Sequence, residues 1–321
     1  MSKIKNLLSK IFKRKPNETA TPHQTSATQA SEAGIDSPKT SIANDRHIEL
    51  PQGSRAVTDK IDSYNDLFVR TINPSFKDGN PALGSHFKST FDTFCVAAAA
   101  GWYPKQKVQH YLCLAKDIGI ARFKQRLVEP DRPFLTPLDG DLVELCGSET
   151  CDYTDSNTWL NTYYCALLMR DIEAINSLAQ VTPEIFAQAT IPSDGFDLAF
   201  VALLKGIFQQ DSDIVYLLRT ALISEVDGTP EREKLANHLL EPLLPVIRCI
   251  FTPDADAEFN EKMQEAVQMH KQYWKDDKSA PEGWIALPLT ALAALAKARN
   301  GWQLDFETDY IPQWLVDGDF S

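Results

Sequence analysis

Three times this chain sets a threonine, a proline and an acid in a row: Thr182-Pro183-Glu184, Thr229-Pro230-Glu231 and Thr252-Pro253-Asp254. Each triplet has the chemistry of a helix start. The hydroxyl takes an orphan N–H, the ring holds φ near the helical value without needing a donor, and the carboxylate faces the positive end of the helix dipole. Asp155-Ser156 and Ser193-Asp194 offer further starts. Between these points apolar residues recur at helical spacing, which predicts helices over 57–72, 86–100, 105–127, 158–170, 172–180, 184–189, 196–209, 214–224, 231–251, 255–275 and 289–299. Pro242 and Pro245 must kink or divide the helix of 231–251. The cleanest pattern is that of 255–275. Phe259, Met263, Ala266, Val267, His270 and Trp274 share one face, and Glu261, Lys262, Glu265 and Lys271 the other.

Strand signals are sparse. Only 303–307 alternates, and 134–155, with its prolines and glycines, reads as the longest internal loop. The predicted class is therefore all-α: an antiparallel helical bundle with α-solenoid character and no substantial sheet. No fixed-period repeat aligns, which argues against a tetratricopeptide array. The globular body is expected over 47–321, a single cooperative unit long enough to bury a large core.

Upstream of it, residues 16–46 are rich in Thr, Ser, Ala, Gln and Pro and read as a flexible linker. Residues 1–15 form a basic amphipathic helix or arm, with Ile4, Leu7, Leu8, Ile11 and Phe12 on one face. Two readings stand for it. One is an interfacial helix held on the anionic inner leaflet by its apolar face and its lysines. The other is a solvated arm, or a short helix docked on the body. Lysines interrupt the apolar run, so it does not read as a secretory signal.

Charge narrows the choice of partner. The first fifteen residues carry six cations and no acid, so the formal −12 of the chain leaves −18 for the remainder. Such a body is repelled by nucleic acid and suits a basic protein surface. The six cysteines are scattered through mostly apolar stretches and read as reduced, core-filling residues of a cytoplasmic protein.

Catalytic constellations are missing from the sequence. There is no phosphate-cradling glycine loop, no nucleophile elbow and no H-E-x-x-H. No histidine has a Glu three residues before it, and Cys146 and Cys151 lack a second cysteine pair. His270, on an apolar helix face one turn before Trp274, reads as a satisfied structural histidine. Neither an enzyme, a cofactor nor a metal is expected.

An amphipathic helix ending in Tyr273-Trp274, an apolar helix through Leu289, Leu292 and Leu295, and then Asp309-Tyr310-Ile311-Pro312 follow one another near the C-terminus. In this order they resemble the C-terminal half of the immunity protein 49 family. The resemblance is specific over 259–315 and weaker upstream. It implies a protein that accompanies a bacterial polymorphic toxin and protects the producing cell. In that family the Tyr-Trp pair and the acid-Tyr-X-Pro element are hallmarks. Tyr273, Trp274, Asp309, Tyr310 and Pro312 match them here, and a hallmark shared among proteins facing different toxins reads as structural.

Contact with the toxin is then expected elsewhere. Asp139, Asp141, Glu144, Glu149, Asp152 and Asp155, with Tyr153, surround the long internal loop. Aromatic anchors rimmed by charge are what tight interfaces use. The functional expectation is stoichiometric binding of a cognate toxin with a basic surface, closing its active site. The alternative is a helical scaffold for protein–protein interaction, tethered to the membrane surface by its N-terminal arm.

Overall fold

The computed structural model describes residues 46–50, 52–77, 82–209 and 212–321, and the backbone of 40–41. The arm of 1–15, with Ile4, Leu7, Leu8, Ile11 and Phe12, lies outside the described residues, as does all of the linker except 40–41 and 46.

The described chain is predominantly helical. Helix α1 (Arg55–Leu67) passes through a π turn at Phe68–Ile72 into α2 (Asn73–Lys77), and α3 (Leu83–Ala99) and α4 (Lys105–Leu127) pack along each other. Next come α5 (Ser156–Leu168), α6 (Ile172–Ala179), α7 (Pro183–Ala187), α8 (Gly195–Gly206) and α9 (Ile214–Ile223). Helix α10 (Pro230–Leu235) runs into a second π turn at Ala236–Leu240, and α11 (Leu243–Ile250), α12 (Asp256–Trp274), α13 (Leu287–Asn300) and α14 (Gln313–Asp317) complete the body.

Helix α5 sits at the centre, with α4, α6, α8 and α13 all packed on it. That is a helix surrounded, a packing that a one-dimensional stack with contacts only between neighbours does not give. Its aromatic run explains the position. Trp159 and Tyr163 stack on one face with ring centroids 5.1 Å apart, Tyr164 leaves from another, and nearly every residue of α5 is buried, so no face of it could stay in water. The polar tips of the first two are satisfied: Trp159 Nε1 donates to Leu178 O and Tyr163 Oη to Leu204 O, each at 3.1 Å. Helix α13 is apolar almost all round for the same reason, being enclosed by α5, α11, α12 and α14.

Aspartates cap four of the helix starts. Asp155, Asp171, Asp194 and Asp213 accept backbone N–H groups at 2.8, 3.0, 2.7 and 3.0 Å at the heads of α5, α6, α8 and α9. Of the three Thr-Pro-acid triplets, two begin helices, α7 and α10. The third does not. Asp254 turns into the left-handed region (φ 54°), and α12 starts at Asp256. Pro242 divides the predicted helix of 231–251, closing the π turn before α11 begins.

The expectation of no substantial sheet needs correcting. Residues 133–146 form an antiparallel hairpin, β2 (Pro133–Leu138) with β3 (Asp141–Cys146). Its turn is Asp139-Gly140, both at positive φ (52° and 82°), the two-residue geometry whose twist matches that of the strands. A second, smaller sheet pairs β1 (Thr40–Ser41) in parallel with β4 (Phe306–Glu307), so the alternation seen over 303–307 is realised in two residues only.

Candidate functional site

The hairpin orders what the sequence presented as loop acids. Phe134, Thr136 and Leu138 share a face with Val143 and Leu145, and Thr136, Leu138 and Leu145 are buried against the body. The other face looks outward and carries Leu135 (56% exposed), Leu142 (66% exposed) and Glu144. Leu135 stands directly across from Glu144, and Leu142 lies one position from Asp141. Asp139 at the tip lies 3.5 Å from His110. This surface is thus two exposed leucines rimmed by carboxylates.

Past the strands, the segment of 147–154 is tied down from beneath. Arg122 on α4 is buried, and its guanidinium donates to the carbonyls of Thr150 (2.7 Å) and Asp152 (2.9 and 2.7 Å). Burial lowers its pKa to about 10, which leaves it charged at neutral pH. Glu149 and Asp152 are exposed on this anchored backbone, with Asp152 Oδ1 accepting from Thr190 Oγ1 at 2.6 Å. Tyr153 takes a left-handed φ of 56° and lays its ring over Gly84, where a Cβ would meet it at 2.2 Å. Asp155 is occupied at the head of α5. Asp139, Asp141, Glu144 and Glu149 are therefore the acids of the cluster most open to a partner.

Near the C-terminus, Asp317 and Asp319 are exposed but already paired. Asp317 pairs with Lys297 at 2.8 Å and Asp319 with Lys105 at 2.7 Å. The hydrogen bond from Lys105, with those from Ser321, holds the Asp319 carboxyl down at about 2.

Behind them lies the acid-Tyr-X-Pro element. Tyr310 is fully buried, edge-on to His270 with ring centroids 5.0 Å apart, and its hydroxyl accepts the backbone N–H of His47 at 3.0 Å. Asp309 is exposed and its carbonyl accepts from Arg46, while Pro312 precedes α14 at its N-cap. His270 Nε2 donates to Gly283 O at 3.1 Å; burial drives its pKa down to about 4 and keeps the ring neutral.

The Tyr-Trp pair belongs to a different environment, a groove that no sequence pattern announced. It has a volume of about 660 Å³ and is walled by α3, the start of α5, the segment from Asp227 through α10, and the end of α12. Trp274 sits edge-on to Tyr273 at 4.9 Å and presses on Gly283, where a Cβ would come within 2.5 Å of the indole. Lys234 lies over the Tyr273 ring at 5.3 Å. Arg232 bridges Asp194 (2.9 Å) and Asp197 (2.7 Å) at one end of the groove, and Lys88 bridges Asp92 (2.6 Å) and Glu282 (3.0 Å) at the other. Three buried polar atoms of lining residues have no hydrogen-bond partner: Tyr164 Oη, Trp274 Nε1 and Arg232 Nη1. Tyr164 and Arg232 were missed in the sequence because neither belongs to a motif. Among the residues singled out in the sequence, Tyr153, Asp155, His270 and the Tyr-Trp pair line it, though none was read as part of a groove.

Among the described residues no cluster of three His, Cys, Asp or Glu side chains is placed to hold a metal ion, and no helix is long and apolar enough to cross a membrane. Helix α9 also leaves Val215, Tyr216, Leu222 and Ile223 uncovered at helical spacing. Exposed apolar surface of this kind, on a helical body with a charged hairpin and an open groove, is the equipment of a binding protein.

Residues 126–315 match the family model of immunity protein 49, and the chain belongs to that family. The match reaches well upstream of 259–315: it begins at the end of α4 and takes in the hairpin, α5 and the groove's later walls. No curated protein and no solved structure matches the chain.

Proposed function

We propose that this immunity protein neutralises its cognate toxin by stoichiometric binding that closes the toxin's active site, acting in the cytoplasm of the producing cell. The observation that carries the reading is the outward face of the β2–β3 hairpin in a member of the immunity protein 49 family. Leu135 and Leu142 supply apolar area and Glu144 charge on that face, with exposed Asp139 in the turn and Asp141 beside it at the rim. The partner this face fits is basic, since opposite charge raises the association rate and exposed leucines give contact once water is expelled. Protection by occlusion needs free toxin to be negligible, so the dissociation constant is nanomolar or tighter, about −12 kcal/mol.

The test uses the toxin encoded in the adjacent open reading frame. Calorimetry should give one immunity protein per toxin, and protection in co-expression should scale with immunity-protein dose. Rescue by far less than one copy per toxin would mean turnover and would overturn the reading. The quadruple change Asp139→Lys, Asp141→Lys, Glu144→Lys and Glu149→Lys should slow association at least about tenfold with the helical content unchanged. Unaltered binding would remove the hairpin from the contact surface.

A further inference from the structure

We propose that the groove bounded by Tyr164, Arg232 and Trp274 receives a segment of the toxin in which a basic side chain is flanked by apolar ones. This rests on the toxin-binding reading and adds a second contact, separate from the hairpin.

Three properties of the groove point to such a segment. The first is size: about 660 Å³ lies within the range of pockets that enclose a small organic ligand or a few peptide residues. The second is hydrogen bonding. Trp274 Nε1 and Arg232 Nη1 can only donate, and Tyr164 Oη can donate; all three are buried without an acceptor. Tyr164 is 1% exposed, on the central helix, and its side chain lines the groove. Carbonyl oxygens of a peptide backbone answer that need.

The third property is charge, which decides the class of ligand. Five acids line the groove (Asp155, Asp194, Asp197, Asp227 and Glu282) against two cations, Lys88 and Arg232, a net −3. A carboxylate or phosphate ligand would satisfy the donors at the cost of that field. Neutral backbone carbonyls satisfy them at no such cost, and a lysine or arginine on the same segment gains from the acids. Leu160, Leu239 and Leu287 offer apolar wall for its neighbours. The donors are also held in place: Arg232 by two carboxylates, Trp274 by its seat on Gly283.

The experiment compares toxin binding by the wild type, by Tyr164→Phe, by Trp274→Phe and by the double variant, alongside thermal melts. Tyr164→Phe keeps the ring and removes only the hydroxyl, whereas Trp274→Phe removes the indole N–H together with part of the ring that packs on Gly283, so its melt is read beside its binding. Tyr164→Phe removes a hydroxyl with no partner in the free protein, so its melting temperature is expected to stay or rise. Each change is expected to weaken toxin binding about tenfold, chiefly through faster dissociation. Overlapping synthetic peptides tiled over the toxin should include one, basic and apolar, that competes with the toxin and fails to bind the double variant. Toxin affinity in the double variant within about twofold of wild type would overturn the groove while leaving the immunity reading intact, as would an acidic peptide being the one retained. A wild-type protein that does not bind the toxin at all would sink both.

Discussion

The hydroxyl of Tyr310 accepts the backbone N–H of His47 at 3.0 Å and stands 2.9 Å from that residue's Nδ1, joining parts of the chain 263 positions apart. The ring itself is buried against His270 and its carbonyl accepts the N–H of Ala286 at 2.8 Å, so a single side chain and its backbone hold together the start of the described body, α12 and the head of α13. Tyr310→Phe keeps the packing and strands the N–H of His47. The expected loss is about 1–2 kcal/mol, read from urea unfolding, with faster proteolysis near Arg46. Tyr310→Ala adds a cavity and should cost about 3–5 kcal/mol. Equal costs for the two variants would mean that the hydroxyl contributes nothing.

Arg122 carries the backbone of 150–152 on one guanidinium, and only a planar fork reaches all three contacts. Arg122→Met should therefore destabilise by about 3 kcal/mol, because it removes three charge-assisted hydrogen bonds to the carbonyls of Thr150 and Asp152. Arg122→Lys should recover only part of that. Hydrogen exchange supplies the local readout: amides of 148–154 should exchange faster in both variants, while those of α5 keep their protection. Uniform loosening would show that the loop has no separate anchor.

The helices were readable because each has its own local signal, and the hairpin was not because its only strong signal is two residues long. Pro133 and Pro137 argue against a strand. The register resolves this. In a two-residue hairpin Leu138 and Asp141 form the hydrogen-bonded pair next to the turn, so Pro137 opposite Leu142 and Pro133 opposite Cys146 fall at non-hydrogen-bonded sites, where a missing N–H costs nothing. Asp139-Gly140 was the available clue. The groove left no clue of that kind, because its walls come from helices far apart in sequence and its unpaired atoms are defined only by what surrounds them. Tyr163 and Tyr164 are adjacent tyrosines in one helix; one finds Leu204 O and the other finds nothing.

The salt dependence of association with the toxin should come chiefly from the exposed acids of the hairpin. Asp139, Asp141, Glu144 and Glu149 are exposed, and their attraction is screened over about 8–10 Å at physiological salt. Raising salt from 0.05 to 0.5 M should lower the wild-type association rate by about tenfold or more and bring it close to that of the hairpin charge-reversal variant. The groove changes Tyr164→Phe and Trp274→Phe remove no charge, so they should leave the salt slope as it is. Stopped-flow measurement across a salt series separates the two surfaces.

His270 should give the protein an acid-sensitive limb. Its folded-state pKa of about 4 lies below the ordinary value of 6.5, because burial disfavours the charged ring and nearby His47 adds to the effect, against the raising effect of the bond to Gly283 O. The unfolded chain therefore binds a proton that the folded one refuses between about pH 6.5 and 4. The stabilisation from the neutral ring is complete above pH 6.5 and is lost as pH falls through that window, by on the order of 3 kcal/mol in total. Burial also lowers the pKa of His47 and of His86, so the measured slope includes their shares in the same direction. His270→Gln removes the titrating ring and keeps a donor for Gly283 O. Urea unfolding at half-unit steps from pH 7 to 4 should show a shallower slope in the variant, by up to about 1.4 kcal/mol per pH unit. Identical slopes would mean that the imidazole is protonated as readily in the fold as in the open chain.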